Sequence, residues 1–165
     1  MKLLSRNICT IIGISVFVFF GTACIRQQTT PTALLIIKAD GYFQSQQYMA
    51  PKDENAYDLY RKALLSEPSN EYALKKIYLI SEIILEKLDH INREEYARLI
   101  ERESAGEDIK EEMISVLSQM IGLSEDGKKI CEEHPKRDAE LCTKFGVALE
   151  YYNKRLSYYK QSESK

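Results

Sequence analysis

The stretch Ala56–Pro68, AYDLYRKALLSEP, carries the most information about the fold of this chain. Its apolar residues recur at intervals of three and four, which places them on one stripe of an α-helix: Ala56, Leu59, Tyr60, Ala63 and Leu64. Pro51 and Asp53 predict a turn and an N-cap before this helix, and Pro68-Ser69-Asn70 predicts the turn that follows it. We therefore expect a helix that runs to Ser66 and buries one face.

The same stretch resembles part of a known repeat. Ala56 is followed by Tyr60 four residues on, by Ala63 three further and by Pro68 five further. This spacing is similar to the second helix of a tetratricopeptide (TPR) repeat, where small residues allow neighbouring helices to approach closely and an aromatic ring fills the gap between them. The resemblance implies TPR-like paired helices over residues 33–88. An ordinary helical bundle is the alternative.

Helical spacing of apolar residues continues along the rest of the chain, and we find no segment that alternates as a strand would. Besides the helix over residues 56–66, the pattern predicts helices over residues 32–49, 71–88, 92–103, 107–121, 124–133 and 138–159. Asn92 with Glu95 is a variant of the capping box, and Gly122 is expected to end a helix. The prediction is an all-α antiparallel array or bundle of six or seven helices. It forms one domain, 33–161, with helical hairpins over 92–161.

Tyrosine is concentrated in the predicted C-terminal helix. One apolar stripe is expected to be mostly buried: Phe145, Leu149, Tyr152, Leu156 and Tyr159. Tyr151 and Tyr158 begin a neighbouring line, and tyrosine is common at protein interfaces because it joins an apolar ring to a hydroxyl. These two residues are therefore candidate partner-binding residues. If a TPR-like groove exists, residues from the first helix of each pair would line it. Tyr42, Gln46 and Lys75 are then further candidate partner-binding residues.

The midpoint between Cys131 and Cys142 falls between Lys136 and Arg137, just after the turn expected at His134-Pro135. Residues equidistant from such a turn tend to face each other across antiparallel helices, so an exported protein would be expected to join them by a disulfide. Two half-buried free thiols are the alternative. A zinc site that included His134 would lack a fourth ligand, and we expect no metal.

The first 24 residues have the layout of an export signal. Two basic residues precede an apolar run over residues 8–20, and Gly21-Thr22-Ala23-Cys24 follows it. The cysteine after small residues resembles the lipobox of bacterial lipoproteins, which implies removal of the signal peptide, residues 1–23, and acylation of Cys24. Gly21 departs from that motif, which carries an aliphatic residue at this place. Ordinary signal-peptidase cleavage at the same bond and an uncleaved membrane anchor are the alternatives.

Charge and motif content narrow the range of functions. The chain has 23 basic and 25 acidic residues, which leaves no basic surplus for nucleic-acid binding. It has two histidines, and it contains neither a glycine-rich phosphate loop nor a Gly-x-Ser-x-Gly elbow. We therefore expect no enzyme and no cofactor.

These features together predict a non-catalytic envelope protein. It would be attached to the membrane by lipid on Cys24, with residues 24–32 as the lipidated cysteine and tether, and it would bind another envelope protein or peptide. The outer membrane is the favoured location because Ile25 is not the aspartate that retains some lipoproteins at the inner membrane. A surface-exposed lipoprotein that contacts host or environment, and a secreted soluble helical protein, are the alternatives. Homo-oligomerisation stays open.

Overall fold

The computed structural model describes residues 30–134 and 138–161, and within these ranges it contains helices and turns but no strand. The predicted all-α class is therefore confirmed. The six α-helices are α1 (Pro31–Gln44), α2 (Ala56–Ser66), α3 (Glu71–Ile91), α4 (Ala97–Ser104), α5 (Lys110–Glu133) and α6 (Ala139–Gln161). A π-helical turn, Asn92–Tyr96, joins α3 to α4. The predicted signal peptide over 1–23, the acylated Cys24 and the tether up to residue 29 lie outside the described residues.

The connection between α1 and α2 differs from the prediction. α1 ends at Gln44 rather than near residue 49, and Asn55, not Asp53, caps α2. The Asn55 side chain accepts a hydrogen bond from the Asp58 N–H at 2.8 Å and donates to the main-chain oxygens of Met49 and Pro51 at 3.0 and 2.9 Å. Because Asn55 is buried, these bonds replace the water that its amide would otherwise bind.

The predicted helix start at Asn92 is wrong. Asn92 has helical backbone angles, φ −60° and ψ −42°, and the chain passes from α3 through the π-helical turn into α4. The Asn92 side chain accepts a hydrogen bond from the Tyr152 hydroxyl at 3.4 Å. A capping residue needs a non-helical backbone, so a continuous helix removes the role that the local pattern suggested.

The predicted helix end at Gly122 is also wrong, because α5 runs unbroken through it. The Ser124 hydroxyl, expected to start a new helix, instead donates to the Met120 carbonyl one turn back at 2.8 Å. The buried face of the helix is continuous across this point: Met113, Leu117, Met120, Ser124 and Gly127. Packing of that face outweighs the roughly 1 kcal/mol that one glycine costs a helix.

α5 and α6 form an antiparallel pair, the most extensive helix contact in the described part of the chain. Cys131 and Cys142 lie at disulfide distance, with their Cα atoms 5.6 Å apart, as predicted. One turn further from the connection, Gly127 of α5 lies directly under the fully buried ring of Phe145. The pair is thus held covalently at one end and by close packing beside it.

The buried apolar side chains form one contiguous core that includes residues of α1, α2, α3, α5 and α6. Ala56, Tyr60 and Ala63, the residues of the repeat-like spacing, are all fully buried. Among the helices that the structure describes, none combines the length and apolarity needed to cross a bilayer.

Candidate functional site

The outer face of α6 carries large side chains that the core does not cover. Tyr152 and Tyr159 are buried, as predicted, whereas Tyr151 is 49% exposed and Tyr158 is 63% exposed. Val147 is also 63% exposed, and Lys154 is exposed between the two tyrosines. Spacing of three and four residues aligns these side chains along the helix. We call Val147, Tyr151, Lys154 and Tyr158 the α6 surface.

Tyr151 is held in place by two other aromatic rings. Its ring meets those of Tyr152 and Tyr96 edge to face, at centroid distances of 5.3 and 6.5 Å. The hydroxyl groups of Tyr151 and Tyr96 lie 3.1 Å apart, and Tyr96 also accepts a hydrogen bond from Arg155 Nε at 3.1 Å. Burial, followed by the hydrogen bond to Tyr151, raises the pKa of Tyr96 to about 12. The Tyr96 hydroxyl therefore stays protonated and can donate to Tyr151.

Tyr158 is supported in a similar way. Its ring lies edge to face against Tyr159, with the centroids 5.3 Å apart. Tyr159 donates to Glu103 at 2.6 Å and accepts from Arg155 Nη2 at 2.9 Å, which ties α6 to α4. Burial and the hydrogen bond to Glu103 raise the pKa of Tyr159. Both exposed tyrosines thus lie against a buried tyrosine whose hydroxyl is fixed.

The charge of α6 is positive although the chain as a whole has a formal net charge of −2. The helix contains four basic residues, Lys144, Lys154, Arg155 and Lys160, against two acidic ones, Glu140 and Glu150. Two of these charges are matched nearby, because Lys144 pairs with Glu140 at 3.0 Å and Arg155 pairs with Glu103 at 3.4 Å. Lys154 and Lys160 are exposed beside Tyr158. Glu150 is exposed beside Tyr151, so the α6 surface is an aromatic and apolar strip that is basic at the end near Tyr158.

The residues predicted to line a groove lie at the other end of the chain. Tyr42 is half-buried on α1, with Lys38 Nζ 5.7 Å from its ring centroid. Gln46 is exposed and lies beyond the end of α1, at φ +58°, and Lys75 is exposed on α3. The described contacts do not join these three side chains into one site.

The junction of α1, α2 and α3 is instead organised by Asp40, which the sequence interpretation missed. Its carboxylate accepts a hydrogen bond from Tyr60 of α2 and bonds of 2.9 and 3.0 Å from Tyr72 of α3. Lys76 Nζ lies 3.9 Å from the same carboxylate and 4.2 Å from the ring centroid of Phe43. No short motif signals Asp40, because its partners come from two other helices.

A cavity of about 370 Å³ opens between α2, the first part of α3 and the end of α5, and we call it the His134 pocket. Its walls are mostly apolar: Leu64, Leu65, Pro68, Leu74 and Ile77. His134 itself is only 7% exposed, and its ring lies against Tyr78 with the centroids 5.1 Å apart. Within the described residues, neither ring nitrogen of His134 has a hydrogen-bond partner. Burial lowers the pKa of His134, which favours the neutral imidazole.

The polar rim of this pocket is an ion pair that joins α2 to α5. Glu133 Oε2 accepts a hydrogen bond from the Tyr57 hydroxyl at 2.7 Å and lies 2.8 Å from Arg61 Nε. Burial and the bond to Glu133 raise the pKa of Tyr57, so this hydroxyl remains a donor. The charges of Arg61 and Glu133 balance each other. The sequence pattern marks His134 only as a turn residue and as a candidate zinc ligand, and no motif marks Glu133 or Arg61.

No grouping of three or more histidine, cysteine or acidic side chains suited to a metal ion occurs in residues 30–134 and 138–161. Comparison of the chain with protein-family models, with curated proteins and with solved structures finds no match.

Proposed function

We propose that this protein is a non-catalytic, lipid-anchored helical module of the bacterial cell envelope that binds another envelope protein through the α6 surface. The anchoring half of the proposal rests on the lipobox-like sequence that ends at Cys24. The binding half rests on one observation, the exposed tyrosines that are fixed by buried neighbours.

Fixed tyrosines suit protein recognition for a thermodynamic reason. A side chain that is ordered on binding costs about 0.5–1.5 kcal/mol of conformational entropy. Tyr151 already has a hydroxyl contact and a ring contact with Tyr96, and Tyr158 has a ring contact with Tyr159, so part of this cost is already met before binding. Each also keeps a large area exposed, and burying aromatic area contributes strongly at interfaces.

Charge indicates the chemistry of the partner. Lys154 and Lys160 are exposed beside the tyrosines, so a complementary surface would be acidic and partly apolar. An acidic protein surface is therefore the occupant that we propose.

TPR-like packing of the first three helices is a compatible part of the proposal. The complete burial of Ala56, Tyr60 and Ala63 supports it, because this packing places the same positions between helices. In that case α1–α3 would connect the membrane tether to the α5–α6 pair and support it. Tyr42, Gln46 and Lys75 stay proposed as a second, groove-like contact.

Affinity purification from gently crosslinked, detergent-extracted cells tests the proposal. The variant Val147→Ser/Tyr158→Ser removes two side chains that are each 63% exposed, so its fold should be preserved. Leu34→Ser/Ile37→Ser is the matched control, since these α1 side chains are 57% and 63% exposed and are also apolar. We expect one envelope protein to be recovered with the wild type and the control but lost with the α6 variant.

Three results would contradict the proposal. If the α6 variant recovered the partner as well as the wild type does, the partner would not bind through this surface. If only a second copy of the chain were recovered, the protein would associate with itself rather than with an envelope partner. Binding of the purified domain to anionic vesicles, lost in the α6 variant, would assign the surface to lipid rather than to protein.

A further inference from the structure

We propose that the outward side of α1 lies on the lipid bilayer to which Cys24 is anchored, and that it inserts Leu34 and Ile37 among the lipid head groups. The inference rests on the proposed lipid anchor and adds a second membrane contact to it. Spacing of three and four residues aligns Leu34, Ile37 and Gly41 along one side of the helix, and we call these residues the α1 outer face.

The first argument is that α1 is apolar on both of its sides. Residues 33–37, Ala-Leu-Leu-Ile-Ile, are all apolar. Thr32 and Ala39 are buried and mark the side that faces the core. On the opposite side, Leu34 is 57% exposed and Ile37 is 63% exposed. A helix that is apolar all round is normally covered on every side, so a further surface is needed to cover the α1 outer face.

The second argument is distance, which identifies this surface as a membrane. Thr30 caps α1 by accepting a hydrogen bond from the Ala33 N–H at 3.1 Å, so the helix begins where the proposed tether ends. The chain from Cys24 to Thr30 spans at most about 20–22 Å when fully extended. Leu34 and Ile37 follow about 5 and 9 Å further along the helix axis. An acyl chain on Cys24 therefore keeps this face close to the bilayer, at a high effective concentration.

The third argument is the charge and aromatic content beside the face. Asp40 is the acidic residue of α1, and its carboxylate is turned towards the neighbouring helices, where it accepts hydrogen bonds from Tyr60 and Tyr72. Lys38 is exposed next to the outer face. Tyr72 is itself 47% exposed, with its hydroxyl fixed on Asp40. An apolar face with lysine and tyrosine at its edges is typical of helices that lie between lipid and water.

The order of helix packing separates this face from the α6 surface. The main contacts run from α1 to α2, from α2 to α3, from α3 to α5 and from α5 to α6. α1 and α6 are therefore the two ends of the series. The bilayer and an envelope partner would bind at opposite ends of it.

Tryptophan fluorescence on vesicles tests the proposal. The chain has no tryptophan, and Gly41→Trp places one on the outer face, where a Cβ atom would meet nothing within 4 Å apart from its chain neighbours and its own helix backbone. The mature chain, residues 24–165, is coupled through the Cys24 thiol to a maleimide lipid, with Cys131 and Cys142 kept oxidised. The vesicles contain phosphatidylcholine and phosphatidylglycerol in equal parts. We expect brominated phosphatidylcholine to quench this tryptophan, and to quench Val147→Trp on α6 much less.

Two double variants in the Gly41→Trp background give the matched comparison. Leu34→Ser/Ile37→Ser replaces exposed side chains, so it should preserve the fold, and it should lower the ratio of docked to undocked domain roughly tenfold because less apolar area is buried in lipid. Val147→Ser/Tyr158→Ser should leave this ratio unchanged.

Several results would overturn the proposal. Absence of quenching at position 41, or equal quenching with and without Leu34→Ser/Ile37→Ser, would remove the lipid contact. Emission that changes with the density of protein on the vesicle but not with bromination would assign the face to a second copy of the chain. Loss of the envelope partner in Leu34→Ser/Ile37→Ser would assign it to a protein.

Failure of this proposal is distinguishable from failure of the proposed anchor. Coupling through maleimide needs no acylation in the cell, whereas mass spectrometry of the native mature N-terminus reports acylation of Cys24 directly. Vesicles that do not quench would refute the α1 contact and leave the anchor in place. An unmodified Cys24 in the native chain would refute the anchor and, with it, the membrane contact of α1 in the cell.

Discussion

Gly127 allows α5 and α6 to approach closely, so the variant Gly127→Ala tests the packing of these helices. A methyl group built on Gly127 would lie within 3.0 Å of three atoms of the Phe145 ring, closer than real Cβ contacts. Phe145 is fully buried, so its rigid ring cannot move into solvent. Overpacking of this kind costs about 1–3 kcal/mol.

Two other glycines supply matched controls for the helix propensity of alanine. Gly122 lies in α5 and Gly146 in α6, and a methyl group on either would meet no heavy atom within 4 Å apart from its chain neighbours and the backbone of its own helix. Replacing an unhindered helical glycine by alanine stabilises by about 0.8–1.0 kcal/mol. Gly122→Ala and Gly146→Ala should therefore raise the free energy of unfolding by up to this amount. Gly127→Ala should fall about 1–3 kcal/mol below them, because the comparison cancels the propensity gain.

Urea denaturation followed by far-ultraviolet circular dichroism measures all three variants. The m-values should stay equal, so that differences in midpoint report differences in stability. The double variant Gly127→Ala/Phe145→Leu should recover part of the loss, which a double-mutant cycle detects as a favourable coupling of about 0.5 kcal/mol or more. If Gly127→Ala were as stable as Gly122→Ala, or if the cycle were additive, α5 and α6 would not cross at Gly127.

Three further predictions concern other parts of the fold. Replacing Cys131 and Cys142 by serine should lower the free energy of unfolding by about 3 kcal/mol, from the entropy of an 11-residue separation, and urea denaturation measures this. Asn55→Ala should lower the free energy of unfolding by about 2–4 kcal/mol, because it removes a buried cap and two further hydrogen bonds. Thr30→Ala, at the exposed cap of α1, should lower it by only about 0.5–1 kcal/mol. Equal losses in the two variants would contradict the role of Asn55. The pKa of His134 is lowered from its usual 6.5 in the folded state, so the unfolded state binds more protons as the pH falls below 6.5, and stability declines there. His134→Leu should show a weaker decline between about pH 7 and pH 5, because burial of the ring is the cause of the lowered pKa; parallel profiles would contradict this assignment.

The sequence predicted what depends on periodicity and on hairpin symmetry. Helical spacing predicts the all-α class, and the positions of Cys131 and Cys142 on either side of a predicted helical hairpin turn predict their contact. The terminal tyrosines are also divided as predicted, with Tyr152 buried and Tyr158 exposed. Each of these inferences needs only residues that are near in sequence or related by one turn.

The errors came from local signals that packing overrides. Asn92 and Gly122 are good boundary residues in isolation, yet helices pass through both because the buried faces on either side are continuous. The His134 pocket could not be predicted for another reason. Tyr57 and Glu133 are 76 residues apart, and only the tertiary arrangement of α2 and α5 brings them together.

Site-specific photocrosslinking in living cells tests the central claim most directly. A photoreactive phenylalanine replaces either Tyr158 on the α6 surface or Ile37 on α1, and both side chains are 63% exposed. We predict a crosslink from position 158 to one envelope protein with an acidic surface, and none to that protein from position 37. The absence of a protein crosslink at position 158, or the same crosslink from both positions, would contradict the claim that this protein binds an envelope partner through α6.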